Sequence, residues 1–251
     1  MDVENAFKET TILLFGTGLS SLEKYEKWLL ANTPGGRFIR NPNGSCKVFL
    51  PNFSMFQFVP EKVAVGIETA NKYSNKKLGL DKTDFFSLGK EFSKNYPLAC
   101  DVVEGRNLDD VDCTWYLNCQ HVYKNACSFH ARYCAYNIWC SFTDHVFGSY
   151  RTMNSSFCIN CYFSTELTRC FEMDSCRSCY DSMFCHNSEN LKDCLFCFNT
   201  KSLQYAIGNV EVGKEKYEQV KKIIIKSIVN ELEKTKKIKY NIYTVGSVFT
   251  G

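Results

Sequence analysis

The clearest pattern of apolar and polar positions along the chain has a period of three. Counting from Cys113 in steps of three reaches Cys119, Cys134, Cys140, Cys158, Cys161, Cys170, Cys176, Cys179, Cys185, Cys194 and Cys197, and only Cys127 in this stretch falls outside the phase. The remaining members of the phase, among them Val122, Ser128, Ala131, Val146, Ser149, Ser164, Leu167, Met173, Ser182, Leu191, Thr200, Leu203 and Ala206, are small or apolar, as an interior lane requires. The position before each is often Asn, Asp or Ser, as at Asn160, Ser175, Ser178, Asp181, Asn187, Asn190, Asp193 and Asn199. These residues tolerate left-handed backbone and so suit repeated bends. A flat strand alternates its faces with period two, so a strict triplet demands a bend between successive inward residues. Cys140, Cys158, Cys176 and Cys194 recur every eighteen residues, as do Cys161, Cys179 and Cys197 and the column Val146, Ser164, Ser182 and Thr200. The pattern predicts a mainly β fold built on a Cys-rich β-solenoid of about five 18-residue coils, stacked one strand spacing (~4.8 Å) apart.

The flanks read differently. Residues 1–110 predict a mixed α/β N-terminal domain, 111–210 the solenoid, and 211–251 a capping helix and terminal strand. Lys214–Lys236 carries Tyr217, Val220, Ile224, Ile228 and Leu232 near one face of an amphipathic helix, and Tyr240–Val245 alternates enough to predict a strand. Toward the N-terminus, the apolar run Thr11–Phe15 predicts a strand that turns at Gly16-Thr17-Gly18 into a helix. Ser20 and Glu23 form a capping box there, and Tyr25, Trp28 and Leu29 share a face. Val48–Leu50 and Met55–Val59 predict strands, and Glu61–Tyr73 and Asp81–Tyr96 helices. A coil cannot bury its interior alone, so the stack needs caps, which the N-terminal domain and the Lys214–Lys236 helix are expected to supply.

Composition changes this picture in one respect. Charge (+3 formal) and apolar fraction (45%) are ordinary, and neither suggests a polyanion-binding protein. No stretch approaches the ~20 apolar residues of a membrane span. The first residues, Met1–Asn5, lack the basic region of a secretory signal, so the reading is a cytoplasmic protein with reduced thiols and no membrane contact. Cysteine, however, occurs 15 times, an odd number that a full set of intramolecular disulfides cannot use.

Packing is one reading of these sulfurs, because free cysteine behaves as a small, deeply buried hydrophobe. Metal ligation is the other. Cys158-x-x-Cys161, Cys176-x-x-Cys179 and Cys194-x-x-Cys197 are three CxxC pairs, and two pairs make a tetrahedral thiolate site for zinc or an iron–sulfur cluster. The solenoid explains the spacing without metal, so no cofactor is expected, with zinc as the alternative. His121, His130, His145 and His186 lie outside the cysteine phase and are predicted to face solvent. No catalytic triad, Walker loop or HExxH motif is present, and Gly16-Thr17-Gly18 lacks the third glycine of a dinucleotide fingerprint. Trp115, Tyr136, Trp139, Phe142, Tyr162 and Phe163 are either a binding face or packing between coils and caps, the latter for at least half of them.

The end of the ladder is distinctive. Asp193-Cys194-Leu195-Phe196-Cys197-Phe198-Asn199 runs into Leu203-x-Tyr205-Ala206-Ile207-Gly208-Asn209 and then Lys216-Tyr217. Over about Cys113–Val229 this resembles a group of uncharacterised cysteine-rich repeat proteins of large tailed phages and uncultured microbes. The resemblance implies the coiled fold and a viral setting, and no catalytic residue. The functional expectation is a non-enzymatic structural or assembly protein presenting a rigid solenoid surface to other proteins, including virion components or further copies of itself, with nucleic acid not expected as a partner. The alternatives are a metal-binding or redox module on the CxxC columns, and an enzyme with its site in the N-terminal domain.

Overall fold

From Asp109 to Gly208 every third residue has a positive φ, between about +46° and +63°. The computed structural model, which describes residues 2–40, 47–52, 54–77 and 84–246, thereby shows a bend at every triplet. The left-handed residue is the one just before each inward position, where the sequence places Asn, Asp and Ser. The same conformation is also imposed on Trp115, Tyr133, Trp139 and Phe157, at about 1–2 kcal/mol for each residue without a favourable local contact.

Hydrogen bonding offsets that cost. Within a triplet, the residue after the inward position donates its N–H to the next coil, as Thr114 does to the Asn125 carbonyl at 3.0 Å. The left-handed residue donates to the coil before, as His121 does to the Leu108 carbonyl at 2.7 Å. The third N–H, that of the inward residue, points along the bore toward the inward side chain one coil earlier. Asn137 Oδ1 takes the N–H of Ser149 at 2.8 Å, and Ser182 Oγ takes that of Cys194 at 3.1 Å. Each such bond contributes roughly 1 kcal/mol net. Inward positions take small or apolar side chains, and where they are Asn or Ser the side chain also accepts this hydrogen bond.

The coil is twelve residues long, which corrects the eighteen expected. From Leu108↔Gln120 and Thr114↔Ala126 at one end to Cys194↔Ala206 at the other, the pairings along the ladder are parallel and join residues twelve apart, making about nine coils; only where the chain enters the first coil, at Val103↔Tyr116, is the separation thirteen. Four triplets complete a circuit and create four inward lanes. Eighteen residues are one and a half circuits, so Cys158 and Cys194 share a lane with Cys170, while Cys140 and Cys176 lie in the lane opposite. The recurrence was real, but it linked opposite lanes and not neighbours in one column.

One outward corner is apolar. Ala135, Phe147, Ile159, Phe171, Met183 and Leu195 succeed one another at the twelve-residue spacing and are all buried. Helix α1 (Val3–Phe15) lies on this corner through Ala6, Phe7, Leu14 and Phe15, with Phe7 5.2 Å from Phe147 and Phe15 5.0 Å from Phe171 between ring centres. Thr11–Phe15 is thus the last turn of a helix and not a strand, and Gly16, at φ +72° with its N–H on the Ile12 carbonyl, ends it. The expected Ser20 capping box is absent. Instead Glu4 accepts the N–H groups of Ser21 and Leu22, and the chain makes a short 3-10 turn, Leu22–Tyr25, and then α2 (Glu26–Leu29). Tyr25, Trp28 and Leu29 are buried on one face as predicted. The coil leaves room for α2 at Gly148, where a Cβ would stand 2.8 Å from the Leu29 carbonyl oxygen.

Strands β1 (Gly36–Arg40) and β2 (Lys47–Pro51) pair antiparallel and cover a neighbouring corner. Ile39, Val48, Leu50 and Phe56 pack there with Trp115, Cys127 and Trp139. Cys127 escapes the cysteine phase because it faces outward under this hairpin. Ser54–Phe58 is a 3-10 turn where a strand was expected. The helix expected at Glu61–Tyr73 is only α3 (Ile67–Asn71), preceded by β3 (Ala64–Val65). α4 (Phe85–Asn95) is capped by Asp84, and the start expected at Asp81 lies outside the described residues. β4 (Leu98–Ala99) pairs with β3 and leads into the first coil.

Helix α5 (Lys214–Thr235) forms where the pattern placed it, yet it does not sit over the end of the stack. Tyr217 packs on Tyr205 of the last coil, while Ile228 and Leu232 join the cluster around Phe171 and Phe184. Lys236, just beyond, lies over the Tyr25 ring. The helix therefore runs back along the apolar corner beside α1. The end itself is closed by the tail of the ladder. Asn209 accepts the Phe198 N–H and donates to the Phe198 carbonyl, both at 2.8 Å, and Glu211 accepts the Gln204 N–H at 2.8 Å. Residues 242–246 form turns, not the expected strand.

Candidate functional site

The six cysteines with metal-ligand spacing all point into the bore. Cys158, Cys161, Cys176, Cys179, Cys194 and Cys197 are buried, and the two members of each CxxC pair stand on adjacent lanes of one coil. Their hydrogen-bonding capacity is in use. Cys194 Sγ, for example, donates to the Lys192 carbonyl at 3.4 Å and the Leu203 carbonyl at 3.3 Å, while its sulfur receives the Ala206 N–H from the coil beyond. Cysteine fills a lane for that reason: it is small and apolar, yet its sulfur both donates and accepts weakly. Among the described residues no three His, Cys, Asp or Glu side chains converge on a metal-sized centre.

Burial pushes the lane thiols up, to about 11 at Cys119 and about 12 at Cys134 and Cys140. In two places neighbouring thiols also shift one another. Cys179 is pulled down by the Cys176 thiol, and Cys197 by those of Cys185 and Cys194, while the donors move up.

A second constellation, with no signal in the sequence, lies outside the bore. Glu172 occupies a left-handed outward position and is fully buried. Asn160, one coil earlier, donates to Oε1 at 2.8 Å, and the Ile242 N–H donates to Oε2 at 2.9 Å. Next to it Asp174 accepts from the Tyr243 hydroxyl at 3.0 Å and pairs with His186 Nδ1 at 2.7 Å. These carboxylates hold the segment after α5 against the solenoid. A lone glutamate between Phe171 and Met173 reads as an ordinary outward residue, and only the tail covering it makes it buried.

Desolvation raises Glu172 to about 7, against a partial offset from its two donors. The folded state then holds this proton more tightly than the unfolded chain does. The stability linked to it is fully present below about pH 4.5 and is lost as pH rises through 7, by roughly 3 kcal/mol in all. Glu172→Gln removes that dependence. Its amide can donate to Asn160 Oδ1, which has no partner, once the Asn160 amide rotates. Urea melts are expected to show the variant more stable than the parent by about 2 kcal/mol at pH 8 and no more stable at pH 5. An equal difference at both pH values contradicts the assignment.

The histidines are not all exposed. His145 is buried, bonded to Asp144 at 2.5 Å and packed between Tyr133 and Phe157 at 5.2 and 4.6 Å. Stacking one coil above the next accounts for it, as for His121 on Tyr133 and His130 on Phe142, both 4.9 Å apart and nearly parallel. Of the six aromatics proposed for a face, Tyr136 and Tyr162 are fully buried and Trp115 and Trp139 are half-buried against the β1–β2 hairpin. Only Phe142 and Phe163 are exposed.

Apolar exposure is heaviest where the chain approaches and makes the first coil. α4 presents Phe85 and Phe86, 82% and 83% exposed, and Phe92. The first coil presents Val103, Leu108 and Val111. Glu104 and Asp109 are exposed beside them and Asp112 half-buried. The opposite end, by contrast, is closed by Asn209 and Glu211.

These features define a cysteine-lined β-solenoid repeat protein with a twelve-residue coil and helices on one flank. No protein-family profile matches the chain, and no curated protein matches it. Among the described residues no helix is long and apolar enough to cross a membrane.

Proposed function

We propose that the protein is a non-enzymatic structural or assembly protein whose rigid solenoid carries a contact surface for another protein at its N-terminal end. The observation that carries this reading is the unequal treatment of the two ends. A solenoid end is an edge that invites association, and proteins blunt such edges with side chains. Here the C-terminal end is blunted, and the first coil is left apolar with carboxylates around it. Scattered exposed apolar residues are unremarkable, whereas a concentration rimmed by charge marks an interface. The rim, where the carboxylates of Glu104, Asp109 and Asp112 outnumber the one exposed cation of the first coil, Arg106, selects a partner face with lysine or arginine around an apolar centre. The resemblance to phage-encoded ladders makes a virion the assembly proposed.

The test places a photo-crosslinking residue at Val111, at Phe86 or, as a control, at Asn199, in the protein's own cellular background. One protein joined at the first two positions and not at the third is expected. After purification it should bind the parent chain with an affinity that falls at least tenfold in a Leu108→Asp/Val111→Asp variant. Adducts at all three positions, at none, or with the chain itself overturn the reading, as does unchanged affinity in the variant.

A further inference from the structure

The first coil ends in a row of backbone groups that the ladder leaves open. Inside the stack, each left-handed residue donates its N–H to the coil before, and each inward carbonyl accepts from that coil, as Cys119 does from Leu108 at 3.1 Å. The first coil has no coil before it. Among the described residues the N–H groups of Asp109 and Asp112 therefore have no acceptor, and the carbonyls of Asn107 and Asp110 have no donor. The bore side of this edge is open as well. Asn107 and Asp110 accept the N–H groups of Cys119 and Val122 on their side chains, at 2.8 and 3.1 Å. Their own N–H groups meet no such side chain among the described residues.

A recess of about 460 Å³ lies beside this edge, between the start of α1 and the first two coils. Val3, Val111 and the Tyr123 ring give it apolar walls. Its carboxylates are Asp109, which is 69% exposed and 3.4 Å from His121 Nδ1, and Asp2, which spends one oxygen on the Asn5 N–H that starts α1. No lysine or arginine among the described residues lines it. An aliphatic stem with a cationic head suits such a recess, since lysine and arginine lay their stems on apolar surface and keep the charge at its rim.

We propose that the edge of the first coil takes up an added strand from a partner protein, laid parallel to residues 107–112 as one further layer of the ladder, with a lysine or arginine of that strand in the recess. This deepens the contact surface proposed above and rests on it. Register prescribes the occupant. Within the ladder Leu108 gives its N–H to the Cys119 carbonyl and its carbonyl to the His121 N–H, the two residues that flank Gln120. One partner residue therefore uses the Asn107 carbonyl and the Asp109 N–H, and a second, three positions later, uses the Asp110 carbonyl and the Asp112 N–H. The residue before each of these faces the bore and must be small; serine, asparagine or cysteine there accepts the Asn107 or Asp110 N–H. Backbone pairing supplies affinity in such strand addition, and the side-chain positions supply selectivity. A second copy of this chain is disfavoured, because its first coil repeats the same carboxylates and its other end is closed by Asn209 and Glu211.

A display library of random twelve-residue segments, selected on the full chain, tests this without the partner in hand. Enriched segments are expected to carry serine, asparagine or cysteine at two positions three apart, with a lysine or arginine close by. A synthetic peptide of the most enriched sequence should bind with a Kd below about 0.1 mM. At saturation it should slow amide exchange at Asp109 and Asp112 at least tenfold and leave the Lys201 amide, at the far end, unchanged. Asp109→Asn suits the left-handed backbone equally well and removes a recess charge, so it should weaken the peptide at least threefold at low salt, with an unchanged thermal melt. No enrichment over an uncoated surface, binding without slowed exchange at the two amides, or equal affinity in Asp109→Asn overturns the proposal. Slowed exchange with the peptide but no cellular cross-link at Val111 upholds the strand edge and removes the assembly reading. A cross-linked partner whose complex leaves both amides in fast exchange does the reverse.

Discussion

Deleting residues 175–186, one full coil, is expected to leave a folded protein, whereas deleting 175–192 is expected to destroy it. Both deletions remove whole triplets, so both keep every inward residue inward and every left-handed position in place. They differ only in the corners. After loss of twelve residues Asn187 takes the place of Ser175, and Leu195 and Phe196 slide into the positions of Met183 and Phe184 on the apolar corner. α5 then docks one coil spacing lower. After loss of eighteen, the following coils are turned by half a circuit. Leu195 and Ile207 would face away from α1 and α5, and Lys201, from the polar column that also holds Arg177 and Glu189, would face toward them.

Magnitudes decide the outcome. Exposing Leu195, Phe196 and Ile207 and leaving Tyr217 and Ile228 without cover forfeits about 1.5–3 kcal/mol for each large side chain. The sum rivals the whole stability of an ordinary domain, about 5–15 kcal/mol. The shorter deletion forfeits the Asp174–His186 pair and some fit beneath α5, a few kcal/mol. Circular dichroism and chemical denaturation read the result. A cooperative transition in the 12-residue deletion and aggregation of the 18-residue deletion are expected, and the reverse would reinstate the longer coil.

The second large effect is on thiol chemistry. A lane thiol raised to about 12, as at Cys134 and Cys140, has roughly a thousandth of the thiolate of a free cysteine at pH 8, and no reagent reaches the bore without opening the coils. Titration with a disulfide reagent at pH 8 should therefore find the ladder cysteines from Cys119 to Cys197, all buried, silent in the native protein on the timescale of minutes. All 15 thiols of the chain should appear on denaturation. A zinc-sensitive dye in the same cuvette distinguishes the alternatives. Packing predicts thiols without metal release, whereas ligation by the CxxC pairs predicts about one zinc released for every four thiols modified.

The two deletions also mark where the sequence was readable and where it was not. The bore was readable because its requirement is local. One residue in three must be small or apolar to fit the bore, and cysteine, serine and asparagine do so while also hydrogen-bonding along the axis. The coil length was not, because all four lanes impose the same requirement. Cysteines on opposite lanes, such as Cys158 and Cys176, recur as regularly as those sharing a lane, such as Cys158 and Cys170. The outward column Ala135, Phe147, Ile159, Phe171, Met183, Leu195 did carry the twelve-residue period. It was masked by other apolar residues on the remaining corners, among them Tyr150, Met153 and Phe163. Cys127 looked like an exception to the ladder and is instead the outward residue under the hairpin.

By itself the sequence determined that the chain bends at every triplet, which residues line the bore and where the amphipathic helix α5 lies, since each follows from backbone preference, side-chain size and periodicity over a few residues. Only the tertiary structure decided that four triplets close a circuit, that α5 covers a flank and not an end, and that the segment after α5 buries Glu172. The physical reason is common to all three. They depend on which outward corner is shielded from water, and that is set by segments more than a hundred residues apart in the chain, such as Trp28 and Phe171, meeting on the same face.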